Sequence, residues 1–161
     1  MNKLRAGKSA ATVADKSGKR THRGRLLIVD DSESSRAMIC HHLRAEQFDY
    51  DEAENGAVAV EKVKAATFDL ILMDIKMPMM DGYEAIRRIR QWEVAGGIPR
   101  TAIIAFTASS FEEDVQIAIE SGADLHVSKP VKKEALAAAI LSLLPADVEQ
   151  NSGHRKQSAA S

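Results

Sequence analysis

The sequence predicts an α/β domain, a five-stranded parallel sheet in the order 2-1-3-4-5 flanked by five helices. Three observations carry that prediction. The runs Arg25-Leu-Leu-Ile-Val29, Leu70-Ile-Leu-Met73 and Ala102-Ile-Ile-Ala-Phe106 are short and almost continuously apolar, which suits strands buried on both faces. Each run is followed by a segment with helical periodicity. The strand-helix unit occurs five times, so right-handed crossovers give a parallel sheet with helices on both faces. The order 2-1-3-4-5 is the common five-stranded arrangement, with its switch point between the first and third strands.

Taken in order, residues 1–24 carry Lys3, Arg5, Lys8, Lys16, Lys19, Arg20 and Arg23 against only Asp15. That composition cannot bury a core and reads as a disordered basic tail without aromatic residues for stacking on bases. The strand 25–29 ends at Asp30-Asp31, and Ser32 is the expected N-cap of a helix over 33–46. Residues 48–53 are less apolar and suit an outer strand. Asn55 caps a helix over 56–66 with Val60 and Val63 on its buried stripe. The strand 70–73 ends on Asp74, and Pro78 and Gly82 then force a loop. A helix over 83–92 follows, with Ile86 and Ile89 inward, before Gly96, Gly97 and Pro99 break the chain. The fourth strand runs to Thr107, and a helix over 111–121 stops at Gly122. A short strand over 125–128 ends at Lys129-Pro130. The last amphipathic helix, 132–144, buries Leu136, Ile140 and Leu143 and stops at Pro145. Residues 146–161 are a polar, flexible tail, which leaves 25–145 as the folded domain.

Composition sets the outer limits. The chain has 161 residues, 45% apolar and 28% charged, with net charge −1, ordinary for a water-soluble domain and too balanced for a nucleic-acid binder by charge. No apolar run approaches membrane-spanning length, and no signal-peptide core opens the chain. The one cysteine, Cys40, excludes an internal disulfide and agrees with a cytoplasmic location. Among Met38, Ile39 and Leu43 it reads as a packed small hydrophobe.

The topology brings Asp30, Asp31, Asp74, Thr107 and Lys129 to one edge of the sheet. Each has a bland reading: Asp30-Asp31 and Thr107 as helix caps, Lys129 as a surface charge. Their joint presence at four strand ends favours a site. Three converging carboxylates repel one another unless compensated. A hard divalent cation such as Mg2+ removes that cost and takes carboxylates together with phosphate oxygens. A lysine and a hydroxyl opposite it complete a seat for a tetrahedral anion. A carboxylate can itself be the nucleophile for a phosphoryl group. No base for activating water is evident, so the site suits accepting a phosphoryl group better than steady turnover.

These residues resemble a response-regulator receiver domain of two-component signalling, a CheY-like, flavodoxin-like fold, across about 25–144. The resemblance rests on Asp30-Asp31, Asp74 with Met77-Pro78 and Asp81-Gly82, Thr107-Ala108, and Lys129-Pro130. It implies that Asp74 accepts phosphate from a phosphohistidine on a histidine kinase or a histidine phosphotransfer protein. It also implies that Asp31, Asp74 and the Lys76 carbonyl ligate Mg2+ directly and Asp30 through water. Lys129 would pair with a phosphoryl oxygen across a cis Lys129–Pro130 bond, and the small Ala108 would leave access. Thr107 would swing toward the phosphate and carry the change to the last two strands and helices. The family's second switch position, usually Tyr or Phe, is here His126, which leaves its coupling to Thr107 open beside the reading of an exposed histidine. Lys76 and Ser109 sit where the family varies and bear on phosphate lifetime.

The segment beyond Leu144 is too short for a DNA-binding module, so output would pass to a downstream protein by contact. A homodimer formed on phosphorylation is compatible with the charges of Glu112-Glu113-Asp114 and Lys132-Lys133. A stand-alone relay regulator and a receiver cut from a hybrid sensor kinase both fit. Three other classes compete with this reading. A phosphohistidine carrier built on His41-His42 lacks a four-helix context. A haloacid-dehalogenase-type phosphatase expects Asp where Lys76 stands. A degenerate receiver that binds partners without phosphate would not need all five site residues.

Overall fold

Alternate residues of the central strands point into two separate cores, and that alternation builds the molecule. A computed structural model of the chain describes residues 23–108 and 111–144. The strands are β1 (Arg25–Val29), β2 (Asp49–Ala53), β3 (Leu70–Asp74), β4 (Ala102–Thr107) and β5 (Leu125–Ser128). The helices are α1 (Glu33–Leu43), α2 (Gly56–Ala65), α3 (Gly82–Gly96), α4 (Glu112–Ser121) and α5 (Lys133–Leu143). All pairings are parallel and the order is β2-β1-β3-β4-β5. On one face Leu27, Val29, Ile71, Met73, Ile103 and Ala105 pack beneath α2, α3 and α4. On the other, Leu26, Ile28, Leu70, Leu72, Ile104 and Phe106 pack beneath α1 and α5. Apart from Arg25, Asp74 and Thr107 at their ends, the middle strands are therefore apolar, as strands buried on both faces must be. The outer β2 alternates partly buried and exposed residues instead, up to the buried Ala53.

Local chemistry sets the helix starts. Ser32, Asn55 and Asp81 each accept a backbone N–H three residues on, at 3.3, 2.9 and 2.8 Å, satisfying donors that have no partner within the first turn. Cys40 is buried, as a packed hydrophobe. Among the described residues no helix is long and apolar enough to cross a membrane.

Some boundaries differ from the sequence expectation. The first helix ends at Leu43 and tightens into a 3-10 turn over Arg44–Glu46, because Gln47 turns left-handed with φ 56°. The third helix runs to Gly96 rather than ending near Trp92. Its last turn is held by an ion cluster and not by an apolar stripe. Glu93, 3% exposed, accepts from Arg90 at 2.7 Å and from the Thr101 N–H at 2.8 Å. Arg90 also reaches Asp124 and the carbonyls of Thr101 and Gly122. Arg23 and Gly24, assigned by composition to the tail, belong to the domain. The Arg23 N–H donates to the Gln47 carbonyl, and the Gly24 carbonyl accepts from Asp49, both at 3.0 Å. Residues 1–22, in the expected basic tail, and the expected tail 146–161 lie outside the described residues, as do Ser109 and Pro145.

Candidate functional site

The carboxyl ends of β1, β3, β4 and β5 meet at one edge of the sheet, where the acidic residues gather. Oxygen atoms of Asp30, Asp31 and Asp74 all lie within 4.8 Å of one another. Asp30 and Asp74 are buried, at 1% and 4% exposure, whereas Asp31 faces solvent. The Asp30 carboxylate accepts from the Ser32 N–H at 2.8 Å, and its carbonyl accepts from Arg36 at 2.8 Å. That bond makes a turn just before the Ser32 N-cap, and the same side chain also faces the site. The Lys129 ammonium spans the cluster, 2.9 Å from Asp30 and 3.0 Å from Asp74.

Burial and charge act together here. Burial pushes the Asp74 carboxyl above its ordinary value, opposed by the hydrogen bond and charge of Lys129 and reinforced by Asp30 and Asp31. For Lys129, burial works against the ammonium, but its bonds to Asp30 and Asp74 outweigh that and raise its pKa. The cluster holds three carboxylates against one ammonium. A hard dication with a preference for oxygen fits that donor set and would relieve the excess negative charge. These three carboxylates could together hold such an ion.

The connections around Asp74 are tied to the sheet. Ile75 donates to the Phe106 carbonyl at 3.1 Å, and Gly82 donates to the Ile75 carbonyl at 2.8 Å. Gly82 packs so closely over Asp74 that an added Cβ would overlap the Asp74 carbonyl oxygen and come within 2.8 Å of the Ile75 Cα. A glycine is needed there because backbone lies against backbone. Lys129 donates its N–H to the Thr107 carbonyl at 2.7 Å, and the Lys129–Pro130 bond is cis. Beside the acidic cluster opens a cavity of about 440 Å3 lined by Ile75, Lys76, Thr107 and Ala108 among others. Thr107 is buried and Ala108 exposed.

The structure therefore brings Asp30, Asp31, Asp74 and Lys129 into one cluster, with Thr107, Ala108 and Lys76 on the adjoining cavity. The Lys76 side chain is exposed. His126 stands apart, half-buried on β5 beside α4. His41 and His42 lie on α1 with ring centroids 6.2 Å apart, away from the acidic cluster. Sequence reasoning missed Arg36, which fixes the Asp30 backbone. It also missed Tyr83, whose hydroxyl donates to the Asp114 carbonyl at 3.3 Å and ties α3 to α4 along the cavity. Neither carries a periodic or spacing signal.

Comparison with known proteins gives a consistent result. The family model described as response regulator receiver domain matches residues 26–141. Two-component response regulator ORR41 of Oryza sativa subsp. japonica is 45% identical over 116 residues, 70% of this chain and 87% of that protein. Probable histidine kinase 2 of Oryza sativa subsp. indica is 48% identical over 90 residues, 56% of this chain. The chain spans only 8% of that kinase's length. Among solved structures, the receiver domain of Ssk1, crystallised with the histidine phosphotransfer protein Ypd1 of Saccharomyces cerevisiae, superposes with TM-score 0.73 at 32% identity. It covers 78% of this chain and 92% of that one. The receiver domain of sensor histidine kinase PA1611 from Pseudomonas aeruginosa PAO1, with magnesium coordinated in its active site cleft, gives TM-score 0.68 at 29% identity. There the coverage is 75% of this chain and 97% of that one.

Proposed function

This chain belongs to the response regulator receiver domain family, and on that footing we propose that Asp74 is a phosphoacceptor charged by a phosphohistidine. The observation that carries the reading is the cluster itself. Asp74 is a buried carboxylate within 3.0 Å of the Lys129 ammonium, flanked by two more carboxylates, and a cavity opens beside it.

In the proposed reaction an Asp74 carboxylate oxygen attacks the donor phosphorus. The oxygen–phosphorus bond forms as the nitrogen–phosphorus bond breaks, and the imidazole, already protonated on its other ring nitrogen, leaves as the neutral ring with the bonding electron pair. Asp31, Asp74 and the Lys76 carbonyl would hold Mg2+, with Asp30 acting through water. When bound, the ion supplies charge neutralisation for the phosphoryl oxygens. Lys129 passes from the carboxylates to a phosphoryl oxygen, and small, exposed Ala108 leaves the approach clear. Thr107, alongside on β4, turns its hydroxyl toward the phosphoryl group, and His126 on β5 responds as the second switch position. The product is an aspartyl-phosphate, self-limited by its own hydrolysis, and the chain acts as a signalling module rather than as a turnover enzyme.

Support for the donor class comes from Ssk1, whose receiver was crystallised with a histidine phosphotransfer protein, and support for the metal from the magnesium of the PA1611 receiver. Output would pass through the surface of α4, β5 and α5 to a downstream protein or a second copy, in the cytoplasm. The likeness to ORR41 favours a response regulator, and the likeness to a histidine kinase supports the second reading, a receiver within a hybrid kinase. Transfer from a labelled phosphohistidine protein tests the proposal. Label should leave the histidine and appear on this chain only with Mg2+ present and Asp74 intact. Retention of label on the donor across histidine kinases and phosphotransfer proteins, with Mg2+ supplied, would remove the reading.

A further inference from the structure

At the edge of the sheet opposite the acidic cluster, the ends of α2 and α3 leave an open cavity of about 510 Å3. It is bounded by the segments that lead into β3 and β4, residues 66–69 and 98–101. Its apolar wall holds Phe68, Trp92, Ile98 and Pro99. Ile98 is 36% exposed, and the half-buried Trp92 packs on the core with only part of its surface. Covering an indole and its apolar rim removes that surface from water, which is favourable. Lys64 and Arg100 stand at the same wall. An ammonium has three donors and a guanidinium five, and the bonds to Glu61, Asp124 and Gly122 use only part of them. Both side chains keep about half of their surface in solvent, so a further carboxylate can reach them.

The chain enters its first strand beside this cavity. Gly24 lies against Asp69, and the Arg25 N–H donates to the Asp69 carboxylate at 2.7 Å. The Arg25 guanidinium lies over the Phe68 ring, 4.9 Å from its centroid. Asp69 and Phe68 both line the cavity, so the segment preceding Arg23 starts at its rim. Within residues 1–22 the longest run without a charge is Ser9-Ala-Ala-Thr-Val13-Ala14, and Asp15, the one acidic residue there, follows it directly. From Asp15 to Arg23 the chain spans at most about 26 Å, ample for a cavity that begins at Asp69.

We propose that residues 9–15 of this chain cover the cavity, with Val13 and its neighbouring alanines over Trp92 and Ile98 and the Asp15 carboxylate at Lys64 and Arg100. Small apolar side chains followed by one carboxylate match an apolar wall edged by two cations. The run is attached next to its site, so its effective concentration is about millimolar and weak contacts suffice to hold it. The lysines and arginines on either side of the run stay in water. The segment that continues from α5 is a poorer occupant, because α5 packs on the other face of the sheet. The inference stands apart from the phosphoacceptor reading, since the cavity lies at the far edge from Asp74.

Trp92 is the one tryptophan of the chain, so its emission reports on the cavity alone. The test measures that emission and its quenching by acrylamide in the full chain, comparing wild type with Val13→Asp, Asp15→Lys and Val148→Asp. None of these substitutions falls within the folded domain. Val13→Asp should move the emission to longer wavelength and ease quenching. Asp15→Lys should do the same at low salt, with the difference fading as salt screens the pair. A peptide of residues 7–17, added at about millimolar concentration, should return Val13→Asp to the wild-type emission. Nuclear Overhauser contacts between the Val13 methyls and the Trp92 ring supply a readout that needs no variant. Equal emission and quenching in wild type and Val13→Asp, with no such contact, would overturn the docking. No effect of Asp15→Lys at low salt would overturn the pairing with Lys64 and Arg100. Protection that falls on dilution would give the cavity to a second copy, and protection lost only in Val148→Asp would give it to the segment after Leu144. Either result also overturns the inference.

Discussion

Replacing Asp74 by Asn tests the electrostatics of the acidic cluster without changing its volume. Burial is the largest influence on the Asp74 carboxyl, and with Asp30 and Asp31 it outweighs Lys129, so the folded pKa is raised. A raised folded pKa means that this group's contribution to stability is fully present below the unfolded carboxylate value and is lost as the pH rises through the folded value. At pH 7 the ionised Asp74 is therefore a net cost to the fold, and Asp74→Asn should melt above wild type in Mg2+-free buffer. The difference should narrow as the pH falls through the raised Asp74 range. Adding Mg2+ should reverse the ranking. At a hundredfold excess over its Kd, a ligand of the native state alone contributes about 2.7 kcal/mol, on the order of 10 °C in Tm for a domain of this size. Asp74→Asn, lacking one of three carboxylates, should gain far less. Thermal melts of both proteins, with Mg2+ and with chelator, at pH 5 and 7, supply the four comparisons. An Asn variant less stable than wild type without Mg2+, or equally stabilised by it, would refute the reasoning.

Three further outcomes are expected. Gly82→Ala forces a Cβ against the Asp74 carbonyl, and urea denaturation should show a loss of about 1–3 kcal/mol together with weakened Mg2+ binding. Lys129→Met removes the cation that already occupies Asp30 and Asp74, so calorimetric titration should find Mg2+ bound several-fold more tightly even though phosphoryl transfer to the chain slows. Glu93→Ala breaks a buried ion cluster and leaves the Thr101 N–H unpaired, which should cost about 3 kcal/mol in urea melts. Its Mg2+ affinity should stay unchanged, since Glu93 binds Arg90 and Thr101 and not the acidic cluster.

The parts of this protein that were legible in its sequence are those where one physical demand dominates. Leu70–Met73 is buried on both faces, so every position is apolar and the strand announces itself. Asp30, Asp31 and Asp74 end such a run or follow it, Lys129 follows the shorter, partly polar β5, and a parallel sheet gathers strand ends at one edge. Ser32 and Asn55 were readable as caps because their side chains serve donors three residues away. The last turn of α3 was hidden because no apolar stripe supports it. Val94 is exposed, Glu93 is buried, and Arg90 finds Asp124 at a separation of 34 residues. Nothing local in a sequence marks such a partner. The same holds for Tyr83 and Asp114, joined across 31 residues by one hydroxyl. Arg23 and Gly24 were lost in the charge of the preceding segment, though the hydrogen bonds that hold them belong to backbone groups, which any residue but proline can offer.

The central claim is that Asp74 becomes covalently phosphorylated, and labelled acetyl phosphate tests it most directly. Wild type and Asp74→Asn are incubated with the donor and Mg2+, then treated with hydroxylamine, which cleaves acyl phosphates. Label on wild type alone, released by hydroxylamine and absent when Mg2+ is chelated, is the predicted result. Equal labelling of the Asn variant, or label that survives hydroxylamine, would place the phosphoryl group elsewhere and contradict the account.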